Sequence, residues 1–118
     1  MDFLLELDSE EVVRSVRPNF DLLRKAVPAG IIVTACAASS SSDFVSRYFA
    51  AYWGIDEDPV TGAAHCSLTP YWSGRLGKTE LVGYQASSRG GWVHARLGQD
   101  RVFLAGDAVT VLRGVLLS

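Results

Sequence analysis

The sequence has only two cysteines, Cys36 and Cys66, in 118 residues. Two thiols are too few for a disulfide scaffold or a zinc site, and neither falls in a C-x-x-C pair. Both therefore read as buried thiols that act as small hydrophobes. A basic stripe is also missing: 11 Lys and Arg stand against 13 Asp and Glu, a formal net charge of -2. Without clustered cations to neutralise phosphates, no nucleic-acid partner is expected. No apolar run approaches the roughly 20 residues that span a bilayer, so no membrane partner is expected either. The start, Met-Asp-Phe, has neither the basic region nor the cleavage site of a signal peptide, and a cytoplasmic location is expected. Internal repeats and linker-like stretches are absent too, which leaves 1–118 as a single expected domain.

What the chain does have is apolar residues, 48% of the total, enough for one ordinary core. Much of it alternates with period two. Over 2–8, Phe3, Leu5 and Leu7 share one face and Asp2, Glu6 and Asp8 the other, the pattern of a half-buried strand. Asp8-Ser9-Glu10-Glu11 reads as a capping box, with Asp8 accepting from the backbone and Glu11 reaching back. The helix it starts is expected to run to about Arg17 and stop at Pro18. Asn19 can cap a second short helix, broken by Pro28-Ala29-Gly30.

The β-branched run 31–37 predicts a central strand. Residues 43–50 alternate with aromatic rings on both faces, so both faces are expected to be covered. Residues 79–87 and 92–97 read as two strands joined through Ser88-Arg89-Gly90-Gly91, whose glycines allow a tight hairpin. Residues 101–117 predict one or two more strands, interrupted at Gly106-Asp107. The long helix candidate, from Gly62 to about Leu76, is apolar or small on nearly every side and is expected to lie inside something. Pro70 within it removes a hydrogen bond and predicts a kink or a packing reason for its presence.

The stretch EDPVTGAAHC, Glu57 to Cys66, leads into that helix. Gly62 at the helix start lets a ligand approach bare backbone N–H groups, which with the helix dipole favour a carboxylate. A plainer account of the same residues is a turn with Pro59 at its second position and Thr61 capping the helix through its side-chain oxygen. His65 and Ser67 do not make a hydrolase, since residues two apart on a helix point to different faces and no nucleophile elbow surrounds Ser67. His65 reads as a buried or cleft-lining histidine. His94 is expected at a solvated or interface position rather than in a metal site. Arg47 and Arg89 read as structural or surface charges.

The segments RYFAAYWGIDEDPVTGAAHCSLTPYW, YQASSRGG and LAGDAVTVLRG resemble the C-terminal half of the phenazine-biosynthesis PhzF-like isomerase family, and the resemblance covers essentially the whole chain. It implies an α+β, diaminopimelate-epimerase-like fold. In that fold two similar domains each wrap a mostly antiparallel β-barrel around one central α-helix, and the active site lies between them. This chain resembles a single half of that two-domain fold.

The resemblance further implies a cofactor-free biosynthetic isomerase that moves a proton between carbons of a small carboxylate-bearing metabolite by general acid–base chemistry. Asp58 matches the motif aspartate that holds the substrate or assists proton transfer. Thr61, Gly62, Ala63 and His65 are the implied substrate-binding positions. Ala63 stands where the family usually has serine, a loss of one donor that is worth about 1.5–3 kcal/mol toward a charged group. Racemases of the same fold, which use two cysteines as acid and base, are not matched, because Cys66 lies about one turn beyond the position of Ala63. The family's main glutamate belongs to the N-terminal half, so the isolated chain is expected to be inactive and to need an N-terminal half-protein as partner. The alternative is a noncatalytic binding or assembly domain, a homodimer that closes the exposed cleft face against a second copy.

Overall fold

A computed structural model describes residues 2–117. The elements run β1 (Phe3–Glu6), α1 (Glu10–Ser15), α2 (Phe20–Ala26), β2 (Ile31–Cys36), β3 (Phe44–Ala50), a 3-10 turn (Ala51–Trp53), β4 (Ile55–Asp58), α3 (Gly62–Leu76), β5 (Glu80–Gln85), β6 (Gly91–Leu97) and β7 (Val102–Ala105). The strands form one mixed sheet in the order β1-β2-β3-β5-β6-β7, with β4 also paired to β3. β1 runs parallel to β2 and β3 parallel to β5, while the other pairs are antiparallel. The fold is thus α+β, a seven-stranded sheet with three helices.

The two faces of the sheet follow from the pleat. On β2, Ile32 joins Phe44, Ala64, Leu68, Trp72 and Leu81 beneath α3, while Val33 and Ala35 join Val13, Val45 and Phe49 beneath α1 and α2. β2 and β3 are therefore covered on both faces, as their aromatic and β-branched alternation predicts. Phe44 stacks on Trp72 with ring planes 5° apart. Trp72 Nε1 donates to Thr34 Oγ1 at 3.0 Å, and Thr34 Oγ1 donates to the Val45 carbonyl at 2.6 Å. Buried polar atoms joined in this way avoid the desolvation cost of an unmade bond.

Several local expectations are corrected. Ser9, not Asp8, caps α1 by accepting from the Val12 amide at 3.2 Å. Glu11 does not complete a box; Glu10 instead accepts from the Ala38 amide at 2.8 Å and tethers the helix to the loop after β2. Asn19 does cap α2, through the Leu22 amide at 3.0 Å. Cys36 and Cys66 are both exposed rather than buried: Cys36 is the last residue of β2, past the buried run Ile32 to Ala35, and Cys66 lies on the outward side of α3. Of the strands expected in 101–117 only β7 forms.

The largest correction concerns the barrel. Among the described residues the sheet stays open, with β1 and β7 as its ends. α3 packs against one face of it, from Leu4 and Glu6 of β1 across to β5, β6 and β7. Ala64, His65, Leu68, Thr69, Trp72 and Ser73 are buried, whereas Ala63, Cys66, Ser67, Pro70 and Gly74 face outward. α3 is covered on one side only. Pro70 lies on the other, exposed side, as does Cys66, whose carbonyl loses its helical partner there. No helix among the described residues is long and apolar enough to cross a membrane.

Candidate functional site

β4 carries three consecutive acids, Asp56, Glu57 and Asp58, and because successive strand residues point to opposite faces Glu57 and Asp58 meet different surroundings. Glu57 faces α1. Its carboxylate pairs bidentately with Arg47, at 2.7 Å from Nε and 2.9 Å from Nη2. Arg47 Nη1 also donates to the Val13 and Val16 carbonyls at 3.2 and 2.8 Å, which places a buried cation at the C-terminal end of α1, where the helix dipole favours it. Glu57 and Arg47 therefore hold β4 and α1 on β3.

Asp58 points the other way. Its carboxylate accepts from the Thr61 hydroxyl, so Thr61 occupies the N-cap position of α3 without capping it through its side chain. The expected Thr61 cap is corrected accordingly. The turn is pinned from the sheet by Gln85, which is completely buried at the end of β5. Gln85 Oε1 accepts from the Thr61 amide at 2.8 Å, and Nε2 donates to the Asp58 carbonyl at 2.7 Å and to Thr61 Oγ1 at 3.1 Å. Ser87 Oγ adds a bond to the Pro59 carbonyl at 2.7 Å. Across from Asp58 on β3 lies Tyr48, whose phenol is pushed up to about 12 by burial first, then by its bond to Asp2 and the charge of Asp58. Tyr48 stays protonated at neutral pH and is no base.

The N-terminus of α3 opens onto a cavity of about 450 Å³, whose walls include Gly62, Arg89, Trp92, Leu104 and Asp107. A Cβ on Gly62 would meet only Leu104 Cδ1, at 3.9 Å, so the glycine leaves open space at the helix end. The hairpin wall is shaped by Gly90, with φ of 70°, and Gly91, where a Cβ would strike Val60 Cγ2 at 2.3 Å. Arg89 and Asp107 both belong to this wall, so one cation and one anion border the cavity. A larger hollow of about 610 Å³ lies over β5 to β7. It lacks a helix terminus, and its Lys78 is already paired with Asp43.

The structure thus brings Thr61 and Asp58 together and sets Gly62 at the cavity, with Ala63 exposed on the first turn of α3. His65 goes elsewhere. It is fully buried between Phe44 and Gly83, and its Nδ1–H donates to the Thr61 carbonyl at 2.8 Å. Nε2 has no hydrogen-bond partner. Gln85 is the site residue that the residue patterns did not single out; its signal was the inward parity it shares with Leu81 and Gly83.

Burial pushes the His65 imidazole below its usual value, outweighing the Thr61 carbonyl, which pulls upward. The unfolded chain takes up this proton as the pH falls through about 6.5, and the folded chain resists. Stability is therefore expected to fall below that pH, by up to about 1.4 kcal/mol per pH unit until the folded state also titrates, and to be flat above it. Glu10, held below its usual 4.5 first by the Ala38 amide and then by Arg14, acts in the same direction only in more acid solution. Urea midpoints between pH 5 and 7.5 check this: the slope should shrink in His65→Asn, and an unchanged slope would assign the effect elsewhere.

Residues 1–114 match the profile of the family described as phenazine biosynthesis-like protein, PhzC-PhzF. An uncharacterized isomerase from Halalkalibacterium halodurans is 53% identical over 116 residues, which are 98% of this chain and 44% of that protein. A second, from Pseudomonas aeruginosa, is 52% identical over 94% of this chain and 42% of its own length. A crystal structure of a phenazine biosynthesis PhzC/PhzF protein from Clostridium difficile superposes with a TM-score of 0.84 at 44% identity, covering 99% of this chain and 45% of that one. The chain spans less than half the length of these relatives.

Proposed function

Because the chain belongs to the phenazine biosynthesis-like, PhzC-PhzF family, we propose that it forms one wall of a cofactor-free isomerase site for a small carboxylate-bearing metabolite. The observation that carries this reading is the start of α3: its first turn has no side-chain cap and opens on a cavity beside Arg89. Free amides at the positive end of a 15-residue helix favour a carboxylate, and the adjacent guanidinium adds charge of the same sign.

With the carboxylate held there, proton transfer is assigned to Asp58, which sits at the turn into α3 behind Thr61, while Asp107 lines the cavity wall itself. Thr61 and Gln85 fix its position, so little reorganisation is needed when charge develops. The reaction class is a 1,n-proton shift: one proton leaves a carbon acidified by a carbonyl or its vinylogue, and one returns to another carbon with no net change in formula. The second acid–base group belongs to the part of the family fold outside this chain. The name isomerase, carried by both bacterial relatives, agrees with that class.

The test is deuterium wash-in. The chain, co-expressed with the part of the Halalkalibacterium halodurans isomerase that it does not cover, is incubated in D2O with small carboxylates bearing carbonyl-acidified C–H bonds. Carbon-bound deuterium, read by mass spectrometry, is expected for the pair and for neither part alone. An assembled pair that exchanges nothing across such a panel would overturn the reading.

A further inference from the structure

Leu81 of β5 points into the core beneath α3, so by the alternation of a strand Glu80 and Val82 point to the opposite face of the sheet. The register carries that face across β6 and β7 in two rows, with Glu80, Arg96 and Phe103 in one and Val82, His94 and Ala105 in the other. On the same face α1 packs over β2 and β3, and the two rows lie beyond it. His94, Arg96 and Phe103 are exposed, and both rows line the hollow of about 610 Å³ over β5 to β7. That volume falls within the roughly 300–1,000 Å³ of small-molecule sites.

The charges in this hollow say what kind of guest it suits. Glu80 and Arg96 stand directly opposite on neighbouring strands, with Cα atoms about 4.5–5.5 Å apart. Among the described residues neither forms an ion pair, with the other or elsewhere. The Arg96 guanidinium instead lies over the Phe103 ring, 4.2 Å from its centroid. Such stacking occupies a face of the guanidinium and leaves its N–H edge able to donate. An anion and a cation are thus side by side with their hydrogen-bonding capacity open, next to an apolar floor of Val82 and Ala105 and the half-exposed Phe103 ring. The formal charges around the hollow, Lys78 and Arg96 against Asp43 and Glu80, cancel, which favours a guest of no net charge over a net anion.

We propose that this hollow binds a free α-amino acid with an apolar side chain, its carboxylate on Arg96, its ammonium on Glu80 and its side chain over Val82, Ala105 and Phe103. An α-amino acid carries its two charges on one carbon, which matches an acid and a base set side by side by the register. A peptide carries them at opposite ends of its chain and cannot satisfy both groups at once. The proposal does not depend on the catalytic reading, because the hollow lies on the face of the sheet away from α3.

The test titrates L-phenylalanine into the full chain and follows the backbone amide resonances. A Kd of about 1 mM or tighter is expected, with shifts centred on 80–82, 94–96 and 103–105. Phenylalaninamide, which lacks the carboxylate, and N-acetylphenylalanine, which lacks the ammonium, should each bind about tenfold or more weakly than the parent ligand. L-phenylalanine should lose affinity to the same extent for Arg96→Gln and for Glu80→Gln, whose melting temperatures should match the parent because both side chains are exposed. The affinity should persist when the chain is assembled with the remaining part of the Halalkalibacterium halodurans isomerase. No binding below about 10 mM, equal binding of either blocked analogue, unchanged binding by either variant, or loss of binding in the assembled pair would each overturn the proposal. Shifts confined to 61–64 would put the guest at the start of α3 and overturn this proposal while leaving the catalytic reading standing. A pair that shows no deuterium wash-in would sink only the catalytic reading.

Discussion

Asp58→Asn in the assembled pair is expected to lower deuterium wash-in by roughly 10²–10⁴-fold, the range typical of a lost general acid or base. The substitution keeps the shape of the side chain, and its amide oxygen can still accept the Thr61 hydroxyl that Asp58 accepts now. The Gln85 bond to the residue 58 carbonyl at 2.7 Å is a backbone contact and is untouched. The melting temperature should therefore stay within about 2 °C of the parent. What disappears is the exchangeable proton and the charge. The loss should fall mainly on kcat, and one limb of the pH–rate profile should vanish with it. If wash-in drops less than tenfold, or if KM alone rises, Asp58 positions the substrate and another group moves the proton.

Arg47→Met is expected to give the largest loss of stability, about 3–5 kcal/mol, as when one partner of a buried ion pair is removed. Arg47 is 8% exposed. Its loss leaves the Glu57 carboxylate without its partner under α1, removes the bond to the Val16 carbonyl and leaves the Val13 carbonyl only the Val16 amide. A domain of ordinary stability, about 5–15 kcal/mol, would be pushed near its unfolding threshold. Lysine should rescue only part, because a single ammonium cannot reproduce the two-pronged contact and reach the helix end as well. The double variant Arg47→Met with Glu57→Met removes both charges and should recover much of the loss. Urea denaturation of the parent, Arg47→Met, Glu57→Met and the double variant measures the coupling; an Arg47→Met loss under about 1 kcal/mol would show that water solvates the pair.

Local patterns were a good guide wherever the deciding contact was itself local or periodic. Asn19 caps three residues ahead of itself, α3 spans Gly62–Leu76, and β2 and β3 bury both faces. The patterns misled where two neighbours could fill the same position, since Asp8 and Ser9 both suit a helix cap and the cap fell to Ser9. They also misled on α3. A helix of small residues suggests enclosure on every side, but smallness permits close packing without requiring it, and the outward side holding Cys66 and Pro70 is open among the described residues.

For the stretch Glu57 to Cys66, motif and order of residues were enough to establish the family, the helix start at Gly62 and the acid ahead of it. The division of labour inside the stretch was decided by the tertiary structure. Glu57 is drawn to Arg47, ten residues back, Asp58 and Thr61 are held by Gln85, 27 and 24 residues ahead, and His65 turns into the core against Phe44. Helix and strand periods reach only across the few residues of a turn or a pleat, whereas these partners lie on other strands. Which acid of β4 turns to Arg47 and which to the Thr61 turn was therefore set by the strands packed on either side of it.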